Sequence, residues 1–136
     1  MILVLSTYPD RASAKRAAKG IVEDGLGACV SIIKIESSVY RWKGRIEEGP
    51  EYLLLIKTAR KAYPALETRI KRTHPHEVPE IVYFEAKGGL EDYLAWVGGS
   101  SSPSARIVPD DLSARRRASG PSSVARRARK PRTLSR

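Results

Sequence analysis

His74 and His76 flank a proline in His74-Pro75-His76-Glu77-Val78-Pro79-Glu80, the densest group of metal-capable side chains in the sequence. Along an extended backbone, residues i and i+2 point to the same side, so both imidazoles could face one copper or zinc ion. A structural or catalytic zinc shell normally takes three or four protein ligands, and two histidines supply only part of one. The remainder would have to come from glutamates, from Cys29 or from another subunit. The competing reading is a surface loop with solvated rings.

Cys29 is the single cysteine, which excludes a disulfide framework within the chain. A nucleophilic thiol needs a nearby base or helix N-terminus to lower its pKa. Cys29 instead opens an expected strand just after an expected helix end, and it shares strand parity with Ile33 and Ile35. That placement suits a small core or interface residue. No Ser-His-Asp or Cys-His-Asn order stands out. The third cluster, Tyr40-Arg41-Trp42-Lys43-Gly44, puts two aromatics among cations at the tip of an expected hairpin. Tyrosine and tryptophan are favoured interface anchors, so covering by a second copy is expected ahead of nucleic-acid stacking.

The elements that position these residues follow from hydrophobic period. Residues 2–5 form a short apolar run closed by Ser6, Thr7 and Pro9, the pattern of a buried strand. Asp10 is the expected N-cap of a helix whose Ala14, Ala17, Ala18, Ile21 and Val22 make a narrow apolar face. Arg11, Lys15, Lys19 and Glu23 form its solvated row, and Gly25 and Gly27 bracket its end. Residues 28–41 alternate, with odd positions expected to face inward. Fourteen residues is long for a strand, so a bulge or projecting arm is expected, with Gly49-Pro50 as the kink. Trp42-Lys43-Gly44 is the turn, and residues 51–58 are a strong strand. A second helix begins near Pro64 and stops at His74-Pro75. Residues 78–87 read as a fourth strand, and Leu90, Tyr93, Leu94 and Val97 as a last short helix. The order β-α-β-β-α-β plus a helix gives an α+β, ferredoxin-like sandwich of two helices on a four-stranded antiparallel sheet.

Charge divides the 136-residue chain, whose net charge is +10. Residues 1–97 hold 15 Lys+Arg against 13 Asp+Glu, whereas residues 98–136 hold 10 against 2. The second segment is rich in Ser, Pro and Arg, lacks aromatics, and is expected to be disordered. The folded domain is therefore residues 1–97. The segment's arginine clusters, Arg115–Arg117 and Arg126–Lys130, suggest nonspecific binding to nucleic acid or another acidic surface as an alternative function. No run of apolar residues is long enough to span a membrane, and the N-terminus lacks the basic start of a signal peptide. A cytoplasmic protein with no membrane partner is expected.

Several segments match one family together. They are Thr7-x-Pro9, then Val22-Glu23-x-Gly25-Leu26-Gly27-Ala28-Cys29-Val30, then Ser38-Val39-Tyr40-Arg41-Trp42-Lys43-Gly44. Glu51, Leu54-x-Ile56-Lys57-Thr58, His74-Pro75-His76-Glu77-Val78-Pro79-Glu80-Ile81 and Tyr93-Leu94-x-Trp96-Val97 follow. In order and spacing the chain resembles CutA, the divalent-ion tolerance protein family, over nearly all of residues 1–97.

The resemblance implies a tight homotrimer in which the long β2–β3 arm continues a neighbour's sheet. It implies a role in tolerance of copper or other divalent cations, with no settled reaction. An enzyme built on Lys57, Glu51 and Cys29 would lack an acid–base pair at catalytic spacing, so turnover is not expected. The family's recurrent polar positions correspond to Cys29, Tyr40, Trp42, Lys43, Glu51, Lys57, His74 and Glu80, near a cleft between subunits. His74 and His76 are the metal candidates, with copper or another divalent cation as the ion. Ser6 and Thr73 stand where some copper-binding relatives have a Cys and a second His. His76 stands where the family more often has Tyr. Gly27 replaces a usual Ala, an exchange expected to matter little.

Overall fold

The computed structural model describes residues 1–102. The arginine clusters of the basic segment lie outside the described residues. The elements are β1 (Ile2–Tyr8), α1 (Arg11–Glu23), β2 (Cys29–Trp42), β3 (Arg45–Thr58), α2 (Tyr63–Thr73), β4 (Val82–Glu85) and α3 (Glu91–Ser100), with a 3₁₀ turn at Arg60–Ala62. The four strands form one antiparallel sheet in the order β2-β3-β1-β4, the ferredoxin-like arrangement expected. The last helix continues three residues past Val97, where the folded domain was expected to end, and Ser101 is buried with its hydroxyl donating to the Val97 carbonyl.

Both ends of α1 follow from local chemistry. The Asp10 carboxylate accepts the Ser13 N–H at 2.8 Å, holding one of the donors that a helix start leaves without a partner. At the other end Gly25 takes φ 71°, a left-handed conformation that costs other residues a Cβ clash. The chain closes with Gly25 N–H to Val22 O at 3.1 Å and Leu26 N–H to Ile21 O at 2.9 Å, a Schellman end. Leu26 is buried beneath it.

The core lies between α1, α2 and one face of the sheet. Ile2, Val4 and Tyr8 of β1 and Leu54 and Ile56 of β3 meet Ala14, Ala18 and Ile21 of α1 and Leu66 and Ile70 of α2. Full burial of each Leu or Ile stabilises the fold by about 1.5–3 kcal/mol. On the first part of β2, up to Ile35, this face belongs to even positions, opposite to the expectation. Val30 pairs with Ile56 and Ile32 with Leu54, so both look toward the helices. Ile33, on the other face, is 45% exposed. Alternation alone does not say which face is the core when both faces carry β-branched residues; the partner strand decides it.

The opposite face carries Leu3, Leu5, Leu53, Leu55, Val82 and Phe84. Tyr93 of α3 lies close enough to Cys29 to be influenced by it, which places α3 over one end of this face. Much of the remainder is uncovered, with Phe84 58% exposed.

The long hairpin contains a bulge, but its extra residue sits on β2. Ile35 pairs with Glu51 and Ser38 with Gly49, so Glu36 and Ser37 together oppose Pro50. Proline has no N–H to offer a ladder, and two residues against one bypass the gap. The hairpin ends in a two-residue turn in which Lys43 (φ 51°) and Gly44 (φ 77°) are both left-handed, as a type I′ turn requires.

β4 is shorter than the expected 78–87 and covers only Val82–Glu85. Pro75 and Pro79 interrupt the supply of donors that a ladder needs, so the stretch before Val82 is free to curve around the end of the sheet.

Gly27 is less replaceable than expected. A Cβ there would stand 2.9 Å from Ile56 Cγ2 and 3.0 Å from Ile21 Cγ2, both branch methyls held by the core. Gly27→Ala is therefore expected to lower stability by about 1–3 kcal/mol. Chemical denaturation reads this as a lower midpoint at unchanged slope, and an unchanged midpoint would show that the isoleucines re-pack freely.

Candidate functional site

The bulge decides which side chains meet. Before it, the odd residues of β2 share a face with Glu51, Leu53 and Lys57 of β3 and Thr7 of β1. The extra residue resets the alternation, so Ser38, Tyr40 and Trp42 join that same face. Across from them runs the curved segment after α2. Together they enclose a cleft of about 610 Å³ lined by Thr7, Ser38, Tyr40, Trp42 and Glu51 from the sheet, and by Pro75, His76, Glu77, Val78 and Glu80 from the segment. Cavities of this size are usual for small-molecule sites.

His74 fixes the segment in place. Its Nδ1 accepts the His76 backbone N–H at 2.9 Å, which leaves Nε2 as the protonated nitrogen, donating to the Thr7 carbonyl at 2.7 Å. The ring also packs on Tyr8 at 4.3 Å between centroids, with His76 at 5.2 Å on its other contact. Burial lowers the His74 pKa below 6.5, outweighing the Thr7 hydrogen bond, and keeps the ring neutral. As folded, His74 has no lone pair to offer a metal, because one nitrogen accepts and the other donates. It is a tether for the cleft wall, a role that its place in the His-Pro-His cluster did not reveal.

Glu80 is the perturbed acid of the cleft. Burial raises its pKa above the ordinary value, and the nearby Glu51 raises it further. Among the described residues, the lining contains neither lysine nor arginine. The two ion pairs found among the described residues, Arg60–Glu85 and Arg69–Asp24, involve none of its carboxylates. Glu51, Glu77 and Glu80 thus share a site whose described lining supplies no neutralising cation.

Of the expected site residues, Tyr40, Trp42, Glu51, His76 and Glu80 converge on the cleft. Lys43 does not line it: the side chain folds back so that Nζ lies 5.9 Å from the Trp42 ring centroid. Cys29 and Lys57 form a separate group. Lys57 is six residues along β3 from Glu51, about 20 Å at the usual strand rise. There Lys57 Nζ donates to Ser31 Oγ at 2.6 Å and lies 3.9 Å from Cys29 Sγ. Ser6 is fully buried on the core side of β1, and the Thr73 hydroxyl donates to the Arg69 carbonyl. Neither reaches the cleft. The lining residues Thr7 and Ser38 carried no site role in the sequence, although both sit inside family-like segments; small hydroxyls give no chemical signal until the fold brings them together.

A family model for the CutA1 divalent ion tolerance protein matches residues 2–100. This chain belongs to the CutA1 family. The divalent-cation tolerance protein CutA of Thermus thermophilus is 44% identical over 95 residues, covering 70% of this chain and 92% of that protein. Its human relative, protein CutA, is 42% identical over 91 residues, covering 67% of this chain and 51% of its own length. Among solved structures, CutA1 of Thermus thermophilus superposes with a TM-score of 0.72 at 42% identity, covering 75% of this chain and all of that one. The periplasmic CutA of Archaeoglobus fulgidus does so with a TM-score of 0.72 at 29% identity, over 75% of this chain and all of its own. Membership confirms the family expected from the motif set, and the matched range ends where α3 ends. No helix among the described residues is long and apolar enough to cross a membrane.

A bare metal ion fits this single chain poorly. No group of three or more His, Cys, Asp or Glu stands close enough to hold one among the described residues, and both nitrogens of His74 are engaged. His76 remains the one imidazole on the cleft, with Glu51, Glu77 and Glu80 around it.

Proposed function

We propose that the chain acts in divalent-cation tolerance or response as a binding protein without turnover, taking a metal ion or small ligand at the cleft between Trp42 and Glu80. The observation that carries this reading is the concentration of Glu51, Glu77 and Glu80 with His76 in a lining that, among the described residues, holds no lysine or arginine. Copper is the metal that the family resemblance points to. A copper shell here would take His76 and carboxylates from this chain and need further donors from a neighbouring subunit. The expected homotrimer supplies one, and supporting it are the apolar surface at Ile33, Val82 and Phe84 and the half-exposed Tyr40 and Trp42. Uncovered patches of this kind, on a sheet with a 14-residue edge strand, favour association.

Two measurements test the proposal on the full chain. Calorimetric titration with Cu²⁺ is expected to give heat that is absent from a His76→Ala/Glu80→Gln variant; indistinguishable titrations remove the metal from this cleft. Sedimentation equilibrium is expected to give three times the chain mass, and a monomer removes the shared cleft.

A further inference from the structure

The cleft has two features that a bare-ion site does not need. One is volume: about 610 Å³ is far more than a dehydrated metal ion fills, and it lies within the range of small organic ligands. The other is an aromatic wall. Tyr40 and Trp42 stand on one side, Glu51 lies below them on the same sheet face, and Glu77 and Glu80 stand across on the segment. An aromatic face attracts ammonium groups through its quadrupole, most strongly for tryptophan, and nearby carboxylates reinforce that attraction. The chain already supplies an instance of this pairing, for the ammonium group of Lys43 lies 5.9 Å from the Trp42 centroid.

Metal coordination, in contrast, asks for several donors converging on a point at about 2.0–2.6 Å. That convergence is missing among the described residues. Glu51 and Glu80 are near enough to feel each other's charge, and the aromatic wall lies on the same lining; such a lining suits a ligand whose positive charges are separated along an apolar stem. Val78 and Pro75 add apolar lining for such a stem.

We infer that the cleft is selective for an organic diammonium ion, a short α,ω-diamine or polyamine, with one ammonium against the Trp42–Tyr40 wall and the other between Glu51 and Glu80. The inference rests on the proposed cleft function and specifies its ligand class.

Calorimetry on the full chain with 1,4-diaminobutane, run separately from Cu²⁺, tests the inference. The diamine is expected to bind, while butylamine binds at least about tenfold more weakly and 1,4-butanediol does not bind, since each lost charge removes a charge-assisted contact. These comparisons need no variant and stand even if a substitution unfolds the protein. Trp42→Ala and Glu80→Gln, each checked by circular dichroism, are expected to weaken diamine binding by about tenfold. Equal affinity for the diamine and the diol, or an affinity untouched by Trp42→Ala, overturns the inference. Cleft-dependent Cu²⁺ binding without any diamine response overturns it and leaves the proposed function standing. No response to either cation removes both.

Discussion

Inserting one residue between Pro50 and Glu51 is expected to abolish cleft binding while leaving the α/β core folded. The reason is arithmetic in the pleat. With two residues facing Glu36 and Ser37, the bulge disappears and pairing becomes one to one between Ile35 and Ser38. Side chains alternate with period two, so Ser38, Tyr40 and Trp42 move to the face opposite Thr7 and Glu51. The aromatic wall then leaves the cavity, and the interface expected from those rings leaves with it. The loss should exceed about 100-fold, since two aromatics and the enclosed volume go together.

The reciprocal change sharpens the test. Deleting Ser37 also removes the bulge, yet it leaves Tyr40 and Trp42 on the cleft face, because Ser38 then lies two residues from Ile35. Binding is expected to survive the deletion and fail with the insertion. Calorimetry with the cations above, sedimentation and circular dichroism decide between this and a general effect of hairpin damage, which would strike both variants alike. Beyond Tyr52, β3 no longer pairs with β1, so the core registers need not shift in either variant.

The second large effect belongs to His74. Replacement by alanine removes a buried ring packed on Tyr8 and leaves the Thr7 carbonyl and the His76 N–H without their partner. An expected cost of about 3–5 kcal/mol combines lost packing with two orphaned polar groups. His74→Phe retains most of the ring volume and loses only the hydrogen bonds, so about 1–3 kcal/mol is expected. Both variants should also weaken cleft binding, because the segment from Pro75 to Glu80 loses its attachment to β1. A free-energy change within error for both would show that the tether contributes nothing.

Acidification separates the tether from simple packing. Burial depresses the His74 pKa, so below 6.5 the unfolded chain binds a proton that the folded chain refuses. The contribution of His74 is complete above its unfolded pKa and declines as pH falls below it, until the depressed folded value is passed. Protonation at Nδ1 would also set an N–H against the His76 N–H. His74→Phe removes this dependence. The stability gap between wild type and His74→Phe is therefore expected to narrow from about pH 7.5 to about pH 5. A gap constant over that range would count against a neutral, doubly bonded ring.

Much of this architecture is written locally. Asp10 three residues before Ser13 gives the start of α1, Gly25 gives its end, Pro64 opens α2, and His74-Pro75 closes it. Each depends on residues within one turn of each other, where steric limits and hydrogen bonding leave few alternatives. The element order then leads to the ferredoxin-like sheet, and the motif set leads to the CutA1 family.

What the sequence left undecided depends on contacts between residues distant along the chain. The core side of β2 was set by Leu54 and Ile56 across the ladder, against the simplest alternation. His74 looked like a ligand until Thr7, 67 residues away, took one of its nitrogens. The resemblance groups Cys29 and Lys57 with Tyr40 and Trp42 at a cleft between subunits, and within one chain strand length keeps the two pairs apart. Lys43 sits at the tip without entering the cleft. Sequence determines which chemistries are available and how each short segment bends. Only the tertiary structure, through pairing register and a single bulge, determines which of those chemistries share a face, because a one-residue shift reverses every side chain of a strand.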